Sequence, residues 1–431
     1  MSKKIGGVVA LVGMCALSLF LVNCGSSSSR PTGLLYVLTQ GSNGTGNNVS
    51  SFAIDLNSGN LSLINSNAST CKPAGGSCGL PLNIVLDPKG AVAFVLNQGV
   101  PAVSTPPTIY AYTVNSDGSL GAPTPAATLT PGDTAVAMTR DASGSFLFVI
   151  TEGNQSLVPP LAPQLLVFGA SSTSLTPVSN AASTLSKIPT AVSAVTFPAP
   201  GSGTTPACGF TTSEEFLYVT SNQDLSQQHN DNTLSVFCVD SSGGLTDKTP
   251  SLPYNPQPDP LSVQAVNTNP AGGQNSGGVF VYVGSQPTGS GALSIFQMCT
   301  VVGNAGCTQS DVTSALLSPV GTSPTSVGQN PVGMVVDPTN NFLYVVNELS
   351  SNVYGFRIST TAGTLTPLTP ANLSTGTQPV AMAMHSTGKF LYTSNSGSSN
   401  ISGFTVSTTT GSMSALPAVN SPAGPSGMVA R

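Results

Sequence analysis

Charge is scarce in this chain. Of its 431 residues only 6% are Asp, Glu, Lys or Arg, against about 25% in an average soluble protein. Without Glu, Lys and Arg in quantity, long exposed helices have little to be built from. Nucleic acid is excluded as a partner, because a phosphate-binding surface needs clustered Lys and Arg. Here the 11 cations are scattered and the net charge is −5. Histidine occurs twice, at His229 and His385, and no CxxC is present. That leaves no tight ligand cluster for zinc, and no cofactor or metal is expected.

What is abundant is Ser, Thr, Asn, 46 glycines and 35 prolines, in a chain that is 39% hydrophobic. Low charge with that hydrophobicity is not the signature of disorder. It reads as short strands joined by many turns.

The N-terminus has an order of its own. Lys3 and Lys4 precede an uncharged apolar run over residues 5–22, and Leu21-Val22-Asn23-Cys24 ends it. A basic start and a short apolar core read as an export signal. A run of ~18–20 apolar residues can also span a bilayer, so an uncleaved anchor is the alternative. The tetrapeptide ending at Cys24 resembles the bacterial lipobox, with Asn23 where a small residue is usual. The resemblance implies a signal peptide over 1–23 and a lipid-modified Cys24. The Gly/Ser-rich stretch that follows suits a flexible tether over 24–33. Membrane attachment through this N-terminal lipid is therefore expected, at the outer membrane because Gly25 is not the Asp associated with inner-membrane retention. Six further cysteines remain in an exported chain, which suggests disulfides. Their spacing favours Cys71–Cys78, Cys208–Cys238 and Cys299–Cys307.

One apolar motif recurs seven times over residues 34–431. It reads LLYVLT (34–39), VAFVLN (92–97), FLFVIT (146–151), FLYVTS (216–221), FVYVGS (280–285), FLYVVN (342–347) and FLYTSN (390–395). Its third residue is always aromatic, a position expected in the core. The motif is apolar on both faces, as a strand covered on both sides must be. A second strand pattern precedes it, for example VGMVVDPTNN (332–341), and an alternating strand and a Gly-bearing turn follow, for example NVYGFRIS (352–359) with TTAGTL (360–365). Four strands repeated seven times is an all-β, seven-bladed propeller. The first motif lacks a preceding innermost strand. The C-terminal GPSGMVAR (424–431) matches NPVGMVVD (330–337), so it is expected to complete the first blade and remove the free edge.

The FLYVVN and FLYVTS motifs and the DPTNN and TxxGxL turns resemble the seven-bladed lactonase-like propellers, which include 6-phosphogluconolactonase relatives and surface-layer proteins with a YVTN repeat. The resemblance implies the fold over 34–431; it leaves the activity to be argued from a site. Histidine-rich copper propellers and Trp-dependent quinoprotein propellers do not fit two histidines and no Trp.

Loops at one end of the channel carry the polar residues a ligand would meet. After the second strands come Asn97, Glu152, Asn222, Asn347, Glu348 and Asn395. Before the innermost strands come Asp133, Lys187 and Asp259. Lactone hydrolysis asks for an acid or base and a cation for the developing oxyanion. Glu152 or Glu348 could supply the first and Lys187 the second; solvated loop residues are the plainer reading. Arg140, Arg357 and His385 map to the opposite face or the third strand, so the family's His–Glu–Arg type of constellation does not carry over. The sparse charge favours a ligand- or partner-binding or structural scaffold at the cell envelope, taking a protein, glycan or small molecule and acting as a monomer. The alternative is a lactonase-like hydrolase opening a sugar or other lactone outside the cytoplasm.

Overall fold

The structure is a computed structural model that describes residues 33–41, 47–70, 79–100, 105–179, 181, 183–198, 213–225, 229–249, 254–268, 278–299, 308, 310–311, 314–321, 324–422 and 424–431. The export signal, Cys24 and the tether lie outside them. So do Cys71, Cys78, Cys208 and Cys307. Cys238 and Cys299 are buried and disulfide-bonded.

Seven antiparallel sheets of four strands, three of them with a short fifth, follow one another around a ring. In blade 6 the strands run Pro331–Val336, Phe342–Asn347, Asn352–Ile358 and Leu365–Ser374 from the channel outwards. Blade 1 is closed by the two ends of the chain. The C-terminal Pro425–Ala430 pairs with Gly33–Thr39, Tyr36 opposite Val429 and Val37 opposite Met428.

The core explains why the recurring motif is apolar on both faces. Buried side chains form clusters at the seams between neighbouring blades rather than one central core. Leu35 and Val37 pack with Phe390 and Tyr392 of blade 7. Leu34, Tyr36 and Leu38 turn the other way, to Val95 and Tyr112 of blade 2. Alternation along one strand thus feeds two seams.

A clasp recurs at the lower edge of these seams. The motif's tyrosine hydroxyl donates to a glycine carbonyl in the outer turn of the next blade. Tyr36 bonds Gly118 O at 2.9 Å, Tyr282 bonds Gly363 O at 2.9 Å, Tyr344 bonds Gly411 O at 2.7 Å and Tyr392 bonds Gly59 O at 2.8 Å. The motif's first residue, Phe280 at one seam and Phe342 at the next, lies flush against the same glycine. Gly363 has φ 69°. Alanine there is strained by its backbone and drives a methyl into the Phe280 ring. Gly363→Ala is expected to cost roughly 2–4 kcal/mol, and Tyr282→Phe about 1 kcal/mol, both read as denaturant midpoints.

The turns on this lower face are organised by an acid. Asp337 Oδ1 accepts from the amides of Asn341 (2.8 Å) and Phe342 (2.7 Å), and Asp87 Oδ1 from Val92 (2.6 Å). His385 occupies the same place in blade 7, and its Nδ1 accepts the Thr387 amide at 3.2 Å. It is a turn-former buried to 2% exposure.

Candidate functional site

The upper mouth of the channel is built by a repeated backbone link. The residue after a second strand donates its N–H to the residue just before or at the start of the blade's innermost strand. Glu152 bonds Thr134 O at 3.0 Å, Gln286 bonds Asp259 O at 3.0 Å, Glu348 bonds Asn330 O at 2.9 Å and Ser396 bonds Gln378 O at 2.8 Å. Asp259, Asn330 and Gln378 hold φ of 59°, 59° and 52°, each ahead of a proline. Asp and Asn tolerate this left-handed region better than most residues. The link fixes where each mouth side chain starts.

Most of these side chains are then consumed by the fold. Asn347, Asn395 and Asn97 are wholly buried. They donate to Asn352 Oδ1 (2.9 Å), Asn400 Oδ1 (2.8 Å) and Thr70 O (2.6 Å). Asn222 Nδ2 donates to Asp259 Oδ1 at 2.8 Å, which ties blade 4 to blade 5. Glu348 Oε2 accepts from Asn330 Nδ2 at 2.6 Å. Lys187, expected in a loop, opens the long innermost strand Lys187–Pro198 of blade 4, opposite Asp224.

Blade 3 differs. Asp133 is fully buried. Its Oδ1 accepts from the amides of Thr134 (2.7 Å) and Gly153 (3.0 Å). Its Oδ2 faces the Thr151 hydroxyl, yet neither atom reaches hydrogen-bond geometry with any partner. Burial raises the Asp133 pKa, against the pull of Thr151 and the two amides. Glu152 is also raised, by burial first and by the Asp133 charge, with the Thr134 side chain opposing. These are two carboxyls within electrostatic reach of each other. Burial is the main cause for both, and the Asp133 charge adds to it at Glu152. Gly153, at φ 70°, leaves room for the loop that folds back over the pair, where Asn154 and Leu161 exchange backbone hydrogen bonds.

The structure therefore brings Asp133 and Glu152 together and does not bring Glu348 to them. Blades 4 and 5 stand between on one side of the ring and blades 7, 1 and 2 on the other. Lys187 belongs to the blade next to the pair, and among the described residues it is the one cation on this face. Both acids were legible as mouth residues; their pairing was not. Among the described residues no three His, Cys, Asp or Glu side chains gather as a metal site.

The opposite end of the channel opens into a cavity of about 530 Å³ lined in part by Thr196, Gln264, Asn267 and Asp337. Behind Thr196 lies Glu215. Its Oε2 accepts from the Thr196 hydroxyl, and its Oε1 is buried without a partner. Burial, opposed by Thr196 and assisted by the Asp141 charge, pushes its pKa from 4.5 up to about 7. Nothing in the sequence pattern marked this residue.

Comparison with known proteins agrees with this architecture. Residues 306–424 match the lactonase family, described as a 7-bladed β-propeller. That stretch holds the outer strands of blade 5 and all of blades 6 and 7, and not the acid pair. A Pseudomonas aeruginosa periplasmic gluconolactonase superposes with a TM-score of 0.59 at 16% identity, over 92% of this chain and 98% of its own. A Lactobacillus plantarum protein gives 0.62 at 13%, over 93% and 99%. A Bacteroides fragilis protein provisionally named a 6-phosphogluconolactonase gives 0.59 at 14%, over 93% and 98%. At these identities the likeness is one of fold. No protein of curated function matches the sequence. The chain is a seven-bladed β-propeller, and its C-terminal part is similar to the lactonase family.

Proposed function

We propose that this propeller is a lactone hydrolase of the cell envelope, with Asp133 and Glu152 as its proton-transfer pair. The observation that carries the reading is the fully buried Asp133 with an unpartnered oxygen beside a second carboxyl of raised pKa. Neighbouring carboxyls pushed upwards by burial, one of them also by the other's charge, suit acid–base chemistry near neutral pH. In the reaction, water adds to the lactone carbonyl and the ring C–O bond breaks. The ionised member of the pair takes the water proton, and the protonated member returns one to the ring oxygen. Water and lactone thus become a hydroxy acid with no other reactant. Lys187, at the head of the neighbouring innermost strand, is the group suited to the developing oxyanion. Among the described residues no arginine stands on this face, so an unphosphorylated lactone fits better than a phosphorylated one. The gluconolactonase neighbour supports the choice of bond. The test is turnover of glucono-, galactono- and γ-butyrolactones, followed by proton release, against buffer alone.

Partner binding is a second reading with an observation of its own. Of the five exposed large hydrophobic residues among the described ones, Leu157, Val158, Leu225 and Leu349 all lie on mouth loops. A propeller that turns over no lactone but retains a partner through this rim would carry that reading.

The envelope location rests on the export signal, with a periplasmic neighbour in support. Attachment through Cys24 predicts that a palmitate analogue labels the chain and that Cys24→Ala abolishes the label. Label retained in Cys24→Ala would refute the lipid anchor.

A further inference from the structure

The seam between blades 2 and 3 lacks both halves of the clasp that closes the seams between blades 1 and 2, 5 and 6, 6 and 7, and 7 and 1. On the blade 2 side, Val92 stands where other blades have Phe280, Phe342 or Phe390, and Phe94 stands where they have tyrosine. On the blade 3 side, the outer turn is cut short. Ser171 pairs directly with Ser174, leaving a two-residue turn. In blades 1, 6 and 7 the corresponding pairs are Ile54 with Leu61, Ile358 with Leu365 and Val406 with Met413. The short turn carries no glycine carbonyl to blade 2. Nothing fills the place it leaves, and a cavity of about 400 Å³ opens there. That is the size of a small-molecule site.

The cavity has two unlike parts. Val92, Phe94, Phe146, Leu147 and Ala170 give it an apolar wall, and Arg140 and Lys89 stand at its polar end. The acids nearby are already engaged. Asp87 accepts from the amides of Lys89 (3.1 Å) and Val92 (2.6 Å). Asp141 accepts from the Phe146 amide (2.8 Å) and the Ser143 hydroxyl. The half-buried Arg140 guanidinium makes one hydrogen bond, from Nη1 to Asp141 O at 3.0 Å, although it carries five donors. Burial lowers its pKa, with Asp141 and Asp87 opposing. A guanidinium taken partly out of water with most donors unspent gains from an anion that meets its planar fork.

We infer that the cavity between blades 2 and 3 is a binding site for a small organic carboxylate with an apolar body, held by Arg140 and Lys89 against the Phe94–Phe146 wall. It lies on the face opposite the Asp133–Glu152 pair and is independent of any chemistry there. No other seam whose outer turn is described in full lacks both halves of the clasp.

Hexanoate is the probe, with hexanamide and inorganic phosphate as controls, titrated calorimetrically into the purified full chain. Hexanoate is expected to bind. Hexanamide, which keeps the chain and loses the charge, should bind at least about tenfold more weakly. Phosphate, which keeps charge and lacks the apolar body, should also bind more weakly. Arg140→Gln should reduce hexanoate affinity about tenfold or more. Lys89→Gln, at an exposed position, should reduce it a few fold and leave the fold intact even if Arg140→Gln does not. Val92→Phe should fill the cavity and abolish binding. The inference is overturned by no hexanoate binding, by equal binding of hexanamide, by phosphate binding more tightly than hexanoate, or by affinity unchanged in folded Lys89→Gln and Val92→Phe.

Discussion

Glu152→Gln is expected to lower kcat for lactone opening by about 10²–10⁴, the range that a positioned acid or base contributes, while KM changes little. Asp133→Asn should do the same. Both replacements are nearly isosteric, which makes the test a chemical one. An asparagine at 133 keeps an oxygen for the amides of Thr134 and Gly153. Its Nδ2 then faces the Thr151 hydroxyl, whose oxygen has no partner in the native chain. The fold should therefore hold, and thermal melts of the variants should stay close to the native one. The double variant should be hardly slower than the slower single one, because residues acting as a unit do not add. Glu348→Gln is the internal control. Its carboxylate is tied to Asn330 three blades along the ring from the pair, and activity should be little changed.

Glu215→Gln is expected to stabilise the protein at pH 8 and to do little at pH 4. The folded chain raises this carboxyl from 4.5 to about 7, so the fold favours its protonated form. The protonated group contributes fully below pH 4.5. That contribution is lost as pH rises to about 7, and above it the fold carries a buried charge. The penalty at pH 8 is on the order of 3 kcal/mol as an upper figure. Glutamine removes it and can still bond Thr196. A gain of a few degrees in Tm at pH 8, vanishing at pH 4, is the expected result. An equal change at both pH values would mean that packing, not ionisation, governs the site.

How much of this was written legibly in the sequence can be judged element by element. The seven second strands announced themselves because burial on both faces leaves an unbroken apolar run. The strand Pro425–Ala430 was legible through its likeness to residues 330–337. His385 could be placed because it replaces an aspartate in a repeated turn, and it takes over one of that aspartate's hydrogen bonds, the one from the amide two residues on. The clasp was hidden. Tyr282 and Gly363 lie far apart in sequence, and only the ring closes the distance between them. The cavity at the 2–3 seam was hidden for the same reason, since a short turn in blade 3 has its effect on blade 2. The mouth was half legible. Asn347 and Asn395 end their strands and turn inwards to the next hairpin, so they look available in sequence and are spent in the structure. Asp133 and Glu152 looked like separate loop acids until the bond from Glu152 N to Thr134 O brought them together.

The central claim is that this carboxyl pair moves protons in lactone opening. The pH dependence of kcat/KM for the best lactone of the panel tests it most directly. A bell-shaped profile is expected in the native chain, set by the ionisation of Glu152 and Asp133, and Glu152→Gln and Asp133→Asn should each reduce and reshape it. Absence of turnover on every lactone, or a profile that neither substitution alters, would contradict it.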